Sequence, residues 1–271
     1  MICIDIKLWE GQTDCERPIL KTYILDGDMK RRTVLILPGG GYGGTSPRAA
    51  EPVALKFASA GFNAFILHYR VARANRFPDA LLDVSRAMCL IRKNADEWKV
   101  DSEKIAVCGF SAGGHLAACL GVHWDKEYLE VPGVSIGMNR PNGLILAYPV
   151  ITTGEFAHRG SFINLIGPGF ERGEPEAMAL TADMSLENHV SDSTPPAFIW
   201  HTFSDPAVPV ENSLLFAAAL RKNSIPFELH IYPEGNHGYS LAIEETQDAG
   251  LPPDPHIATW MNLCIEWLEK L

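Results

Sequence analysis

At 271 residues, 46% of them hydrophobic, the chain can enclose one large α/β core, and a single domain over 1-271 is expected. Its 33 acidic against 23 basic side chains give a net charge of −10, so a polyanion is not attracted and no nucleic acid is expected as a partner. Charges interrupt Met1 to Lys7 where a signal peptide needs apolar residues, and no apolar run reaches the ~18 residues of a membrane span. Six scattered cysteines (Cys3, Cys15, Cys89, Cys108, Cys119, Cys264) lack Cys-x-x-Cys spacing; the expectation is a cytoplasmic protein with reduced core thiols and no membrane contact.

Met1 to Lys7 and Lys21 to Leu25 read as short strands opening an antiparallel sheet edge. Thr33 to Leu37 is a continuous β-rich run, which suits a strand covered on both faces. It ends in Pro38-Gly39-Gly40-Gly41-Tyr42-Gly43-Gly44, a turn whose amides are uncovered and can donate to a developing negative oxygen. A phosphate-binding loop competes, but Thr45-Ser46-Pro47 follows where Lys-Ser/Thr is wanted. Ala49 to Ala60 predicts a helix stopped by Gly61, and Asn63 to His68 the next strand. Pro78 starts a helix in which Leu81, Val84, Met88 and Ile91 recur at helical spacing. Asp83 falls between those apolar positions, and bracing the loop after the strand and plain solvation both remain open for it.

Lys104 to Cys108 predicts a strand running into Gly109-Phe110-Ser111-Ala112-Gly113-Gly114-His115 and then an Ala-rich helix. In Gly-x-Ser-x-Gly the serine sits at a strained strand-to-helix elbow, and a side chain at Gly109 or Gly113 would collide with a neighbouring element. Ser111 is the candidate nucleophile, with the Ala112 amide facing the oxyanion; an exposed serine on a glycine-rich turn is the plainer alternative. His115, on the elbow's own helix, points along that helix and is expected to pack rather than act as base. Asn142 to Tyr148 is another apolar strand. Ile151 to Pro195 then breaks the rhythm with glycines, prolines and mixed polarity, as a substrate-covering insertion would.

Ala197 to Thr202 leads to Asp205 on the loop just past a strand end, which ranks above Asp192 as the carboxylate orienting an imidazole. Asn212 to Arg221 is an amphipathic helix, Phe227 to Tyr232 a strand, and Trp260 to Leu268 a closing helix. His237, between Asn236 and Gly238 on the loop after that last strand, is the candidate base. His201 and His230 lie inside strands and read as satisfied core or surface histidines. Every candidate group therefore follows a strand, and in a parallel sheet those ends share one edge.

On Pro38 to Gly44, Tyr69-Arg70, Phe77-Pro78-Asp79, Gly109 to His115, Asp205 to Pro209 and His237-Gly238, the chain resembles an α/β-hydrolase of the carboxylesterase kind, near the acetyl-xylan-esterase-like and hormone-sensitive-lipase-like branches. The resemblance implies a mostly parallel central sheet with helices on both faces and a small cap-like insertion over 151-195. It implies Ser111 as nucleophile, His237 as base, Asp205 as orienting acid, and an oxyanion hole from the Gly40, Gly41 and Ala112 amides, with no metal or organic cofactor. Pro38 stands where lipase-like members carry His, which favours the carbohydrate-acetylesterase branch and leaves Gly41 and Tyr42 competing as amide donor. The implied substrate is a small ester with a short acyl group, acetyl on a sugar or polyol, since the polar residues of 151-195 do not suit a lipid interface. Trp200, Trp124 and Tyr42 are candidate sugar-stacking rings, with a core role the favoured reading for each tryptophan. A formylkynurenine-hydrolase-like amidase, a serine peptidase and a non-catalytic ligand-binding module are the competing readings. A homo-oligomer is compatible with the sequence, which does not set the state.

Overall fold

Strands apolar at every position must be covered on both faces, and the computed structural model, which describes residues 1–11, 18–71 and 75–271, shows how. In β3 (Arg31–Leu37) Val34 and Ile36 enter one core while Leu35 and Leu37 enter another. In β5 (Val100–Phe110) Ala106, Cys108 and Phe110 join the first and Ile105 and Val107 the second. Helices α1 (Glu51–Ser59) and α8 (Thr259–Lys270) supply the first core, through Val53, Phe57, Trp260 and Cys264. Helices α2 (Asp79–Lys93), α3 (Ala112–His123) and α7 (Glu211–Lys222) supply the second, through Leu81, Val84, Leu116, Leu120 and Phe216.

With β1 (Asp5–Lys7), β2 (Ile19–Tyr23), β4 (Asn63–His68), β6 (Gly143–Ala147), β7 (Ala197–Thr202) and β8 (Phe227–Tyr232), the described strands form an eight-stranded sheet in the order β1-β2-β4-β3-β5-β6-β7-β8. The β1–β2 and β2–β4 pairs are antiparallel and all the others parallel. This is the mostly parallel, doubly covered sheet that the resemblance implied. Its parallel part puts the loops after β3, β5, β7 and β8 on one edge, and these loops carry the glycine run, Ser111, Asp205 and His237.

Between β6 and β7, residues 151–195 hold helices α4 (Arg159–Ile166), α5 (Gly169–Arg172) and α6 (Pro175–Asp183). The glycines and prolines that obscured periodicity here mark the ends of short helices: Gly167-Pro168 separates α4 from α5, and Gly173-Glu174 separates α5 from α6, which starts at Pro175. Phe162, Leu165 and Phe170 anchor the segment in the second core. Cys89, Cys108, Cys119 and Cys264 are buried free thiols as expected, whereas Cys3 is exposed because it precedes the edge strand β1 outside either core. Cys15 lies outside the described residues. No helix among the described residues is long and apolar enough to cross a membrane.

Candidate active site

Ser111 is the hinge between β5 and α3, at φ 55° and ψ −119°, a conformation that costs a non-glycine residue roughly 1–3 kcal/mol. Its surroundings enforce that turn. A Cβ on Gly109 would lie 2.1 Å from Gly113 O, and one on Gly113 would lie 2.1 Å from Leu37 O, so only glycine lets helix and strands approach this closely. The Ser111 amide donates to Ala147 O at 3.0 Å, and Ser111 O accepts from the Val150 amide at 3.2 Å, which ties the elbow to the end of β6.

The glycine turn lies against this elbow: a Cβ on Gly39 would come within 3.1 Å of Ser111 Cβ. Gly40 and Gly41 have φ of 143° and 61°, and the Gly43 and Gly44 amides donate back to Gly40 O. Tyr69 Oη donates to Pro38 O at 2.7 Å, and Asn164 Nδ2 of α4 donates to Gly41 O at 2.9 Å, so the turn is held from both sides. Among the described residues the amides of Gly40, Gly41 and Ala112 have no hydrogen-bond acceptor, and neither does that of Tyr42.

Three side chains from separate loops then meet. His237 Nε2 lies 2.7 Å from Ser111 Oγ, and His237 Nδ1 lies 2.7 Å from Asp205 Oδ2. The remaining carboxylate oxygen, Oδ1, accepts from the Ala207 and Val208 amides, each at 2.9 Å. His201 Nε2 approaches Oδ2 at 3.3 Å while donating to Val208 O at 3.0 Å. Burial pushes the Asp205 carboxyl up, but the bonds from His201, His237 and the Val208 amide outweigh it and hold the group well below the usual carboxylate range. Asp205 is therefore an ionised acceptor, and the His237 tautomer it selects carries hydrogen on Nδ1, leaving Nε2 to face the serine hydroxyl.

The other sequence candidates separate cleanly. His115 is buried, bonded to Tyr42 Oη at 2.8 Å and to Met184 O at 3.1 Å, which is the packing role expected of it. Asp192 is exposed, and His230 pairs with Glu228 at 2.7 Å. Asp83 braces the loop after β4: its carboxylate takes the Arg70 amide at 2.9 Å, the Arg70 guanidinium and Trp9 Nε1. None of the three candidate stacking rings lines the cavity beside Ser111. Trp200 is buried against Trp260 with ring centres 5.2 Å apart, Tyr42 is buried on His115, and Trp124 lies beneath Arg140.

That cavity, about 230 Å³, is lined by Ser111, His237, Gly40, Gly41, Tyr148 and His158 together with Arg48. A larger one of about 470 Å³ between Lys56 and Asn262 touches none of the three relay residues, so chemistry and not size locates the site. His201 is the satisfied core histidine expected of it, bonded to Ser213 Oγ at 2.8 Å and to Val208 O at 3.0 Å, but its approach to Asp205 was not foreseen, and Tyr148, Arg48 and His158 were not singled out. Tyr148 lies against the His237 ring at 5.0 Å and takes the Ser240 amide on its hydroxyl; Arg48 Nη1 donates to Thr246 O, and Arg48 O accepts from Ser240. The one local signal available was the spacing of His201 four residues before Asp205.

Residues 24–142 match the BD-FAE family model, and residues 158–249 match that of the prolyl oligopeptidase family. The chain is 42% identical over 237 residues to an endo-1,4-beta-xylanase B of Butyrivibrio fibrisolvens, covering 84% of this chain and 35% of that protein. It is 32% identical over 215 residues to an acetylxylan esterase of Xylanibacter ruminicola, covering 78% and 41%. It thus spans well under half the length of these two curated relatives. A solved acetyl ester-xyloside bifunctional hydrolase from Caldicellulosiruptor lactoaceticus superposes with a TM-score of 0.85 at 40% identity, covering 98% of this chain and 96% of that one. A carboxylesterase from Lactobacillus plantarum superposes with a TM-score of 0.83 at 25% identity, over 100% and 98%.

Proposed function

Because the chain belongs to the α/β-hydrolase carboxylesterases, we propose that it is a serine hydrolase cleaving short-chain carboxylic esters, acetyl esters of sugars or small oligosaccharides above all. The reading is carried by the unbroken relay from Ser111 Oγ through His237 to Asp205, both links at 2.7 Å. His237 Nε2 takes the serine proton as Ser111 attacks the ester carbonyl, while Asp205 stabilises the imidazolium that forms. The Gly40, Gly41 and Ala112 amides receive the oxyanion. His237 then protonates the departing alcohol, leaving an acyl-enzyme on Ser111, and water repeats the path to release the acid.

A cavity of about 230 Å³ is smaller than the ~300–1,000 Å³ usual for drug-sized ligands, which favours a short acyl group. The acetylxylan esterase and acetyl ester-xyloside hydrolase among its relatives support an acetylated sugar as the alcohol side. In this reading residues 151–195 form the cap, since α4 brings His158 to the cavity and Asn164 to Gly41. The buried free thiols suit a reducing compartment, which we take to be the cytoplasm.

The test compares acetate release from acetylated xylo-oligosaccharides with hydrolysis of simple acetyl, butyryl and octanoyl esters and of a formyl amide. The acetyl esters should be turned over fastest, with the acetylated sugar ahead of the simple ester. A preference for octanoyl, or faster cleavage of the formyl amide, would overturn the substrate assignment.

A further inference from the structure

We propose that His158 is a specificity-determining residue whose Nε2–H binds a hydroxyl on the alcohol side of the ester, so that hydroxylated alcohols are selected over plain ones. The inference rests on the ester-hydrolase reading above and adds to it the group that recognises the leaving alcohol.

His158 precedes α4 and reaches the cavity that holds Ser111 and His237. Its Nδ1 lies 3.3 Å from the Ser161 amide and 2.8 Å from Ser161 Oγ. A backbone N–H can only donate, so Nδ1 is the bare nitrogen and the neutral ring carries its hydrogen on Nε2. No described residue accepts from Nε2, although the ring lines an open cavity. Burial lowers the affinity of this ring for a second proton, as does His237 nearby, against a smaller opposite pull from Asp205.

These facts define what His158 can do. Its bare nitrogen is taken by Ser161 and its other nitrogen already bears a proton, so it cannot relieve Ser111 of one. It is a fixed neutral donor beside the reacting atoms. The substrate carbonyl oxygen belongs to the amides of the glycine turn and elbow, and an acetyl group has no other acceptor. The leaving oxygen is the one His237 protonates, so the acceptors left lie further along the alcohol, its hydroxyl oxygens foremost among them. Of the other cavity-lining donors, Ser240 Oγ donates to Arg48 O, and Arg48 turns Nη1 to Thr246 O and Nε toward Asp248. An alcohol without a hydroxyl leaves Nε2–H unpaired on binding, and a site built to hydrogen-bond a hydroxyl discriminates strongly against the analogue that lacks it.

His158→Asn isolates this role. Asparagine is a good N-cap, so it keeps an acceptor for the Ser161 amide while removing the donor that reaches the cavity. The quantity to read is the ratio of kcat/KM for an acetylated xylo-oligosaccharide to that for ethyl acetate, whose alcohol has no further hydroxyl. In His158→Asn this ratio should fall by about tenfold or more, mainly through KM for the oligosaccharide. His158→Phe, which loses the cap as well, should lower the ratio equally, with urea unfolding confirming that the protein compared is folded. A wild-type enzyme that shows no preference for the hydroxylated alcohol overturns both this role and the sugar-ester reading. A wild type that shows the preference, with an unchanged ratio in folded His158→Asn, overturns the role of His158 alone.

Discussion

A buried imidazole whose two nitrogens are both committed has nowhere to put a second proton. His115 is in that position: Met184 O can only accept, so Nε2 carries the hydrogen, and Nδ1 accepts from Tyr42 Oη. Burial accordingly lowers its pKa from 6.5 to about 4. The sign follows: between those values the unfolded chain binds the proton and the folded one does not, so stability present above pH 6.5 is lost as pH falls toward 4. The shift corresponds to about 3 kcal/mol. Urea unfolding from pH 7 to 4 should show that loss, and His115→Gln should flatten the curve by a comparable amount; equal slopes in the two proteins would contradict the assignment. Ser111, Asp205 and His237 were legible because each follows a strand in a short motif. The approach of His201 to Asp205 was not, because only the return of the Asp205 loop over the end of β7 brings that buried, satisfied ring to the carboxylate. Whether an aromatic ring stacks on substrate was not legible, since composition shows only that such rings exist; packing puts Trp200 in the core, the role favoured for it, and Tyr42 there as well.

Elements with a clean period were readable, and those assembled from breaks were not. Asn63–His68, Ala197–Thr202 and Phe227–Tyr232 are strands with the limits their β-rich runs suggest. Residues 151–195 hid three helices, none longer than nine residues, because so few turns cannot establish a periodic face. The contact of α4 with the glycine turn through Asn164 was equally hidden, since it joins residues 123 positions apart. The elbow is the element most constrained by its neighbours. Gly113→Ala would press a methyl group against Leu37 O, a backbone atom that cannot turn aside. We expect destabilisation of about 1–3 kcal/mol, read as a lowered urea midpoint, together with lost ester hydrolysis as α3 retreats from β3. A variant with wild-type stability and activity would show that the close approach is not required.

Taken whole, the molecule is a sheet whose parallel order gathers four loops on one edge, and that order is why residues as distant as 40 and 237 share one cavity. The continuous apolar runs of the central strands announced two covered faces, and the two cores on opposite sides of β3 and β5 follow from them. The arrangement of the loops required the fold, since spacing in the chain carries no information about distance across an edge. The relay from Ser111 to Asp205 is the product of that assembly, and its chemistry requires Ser111 to act as the nucleophile. The direct measurement is the turnover of an acetyl ester by folded Ser111→Ala. Loss of a triad nucleophile costs on the order of 10⁶ in kcat, so a protein with unchanged unfolding behaviour and essentially no hydrolysis is predicted, whereas retention of more than about a tenth of normal turnover would contradict the account.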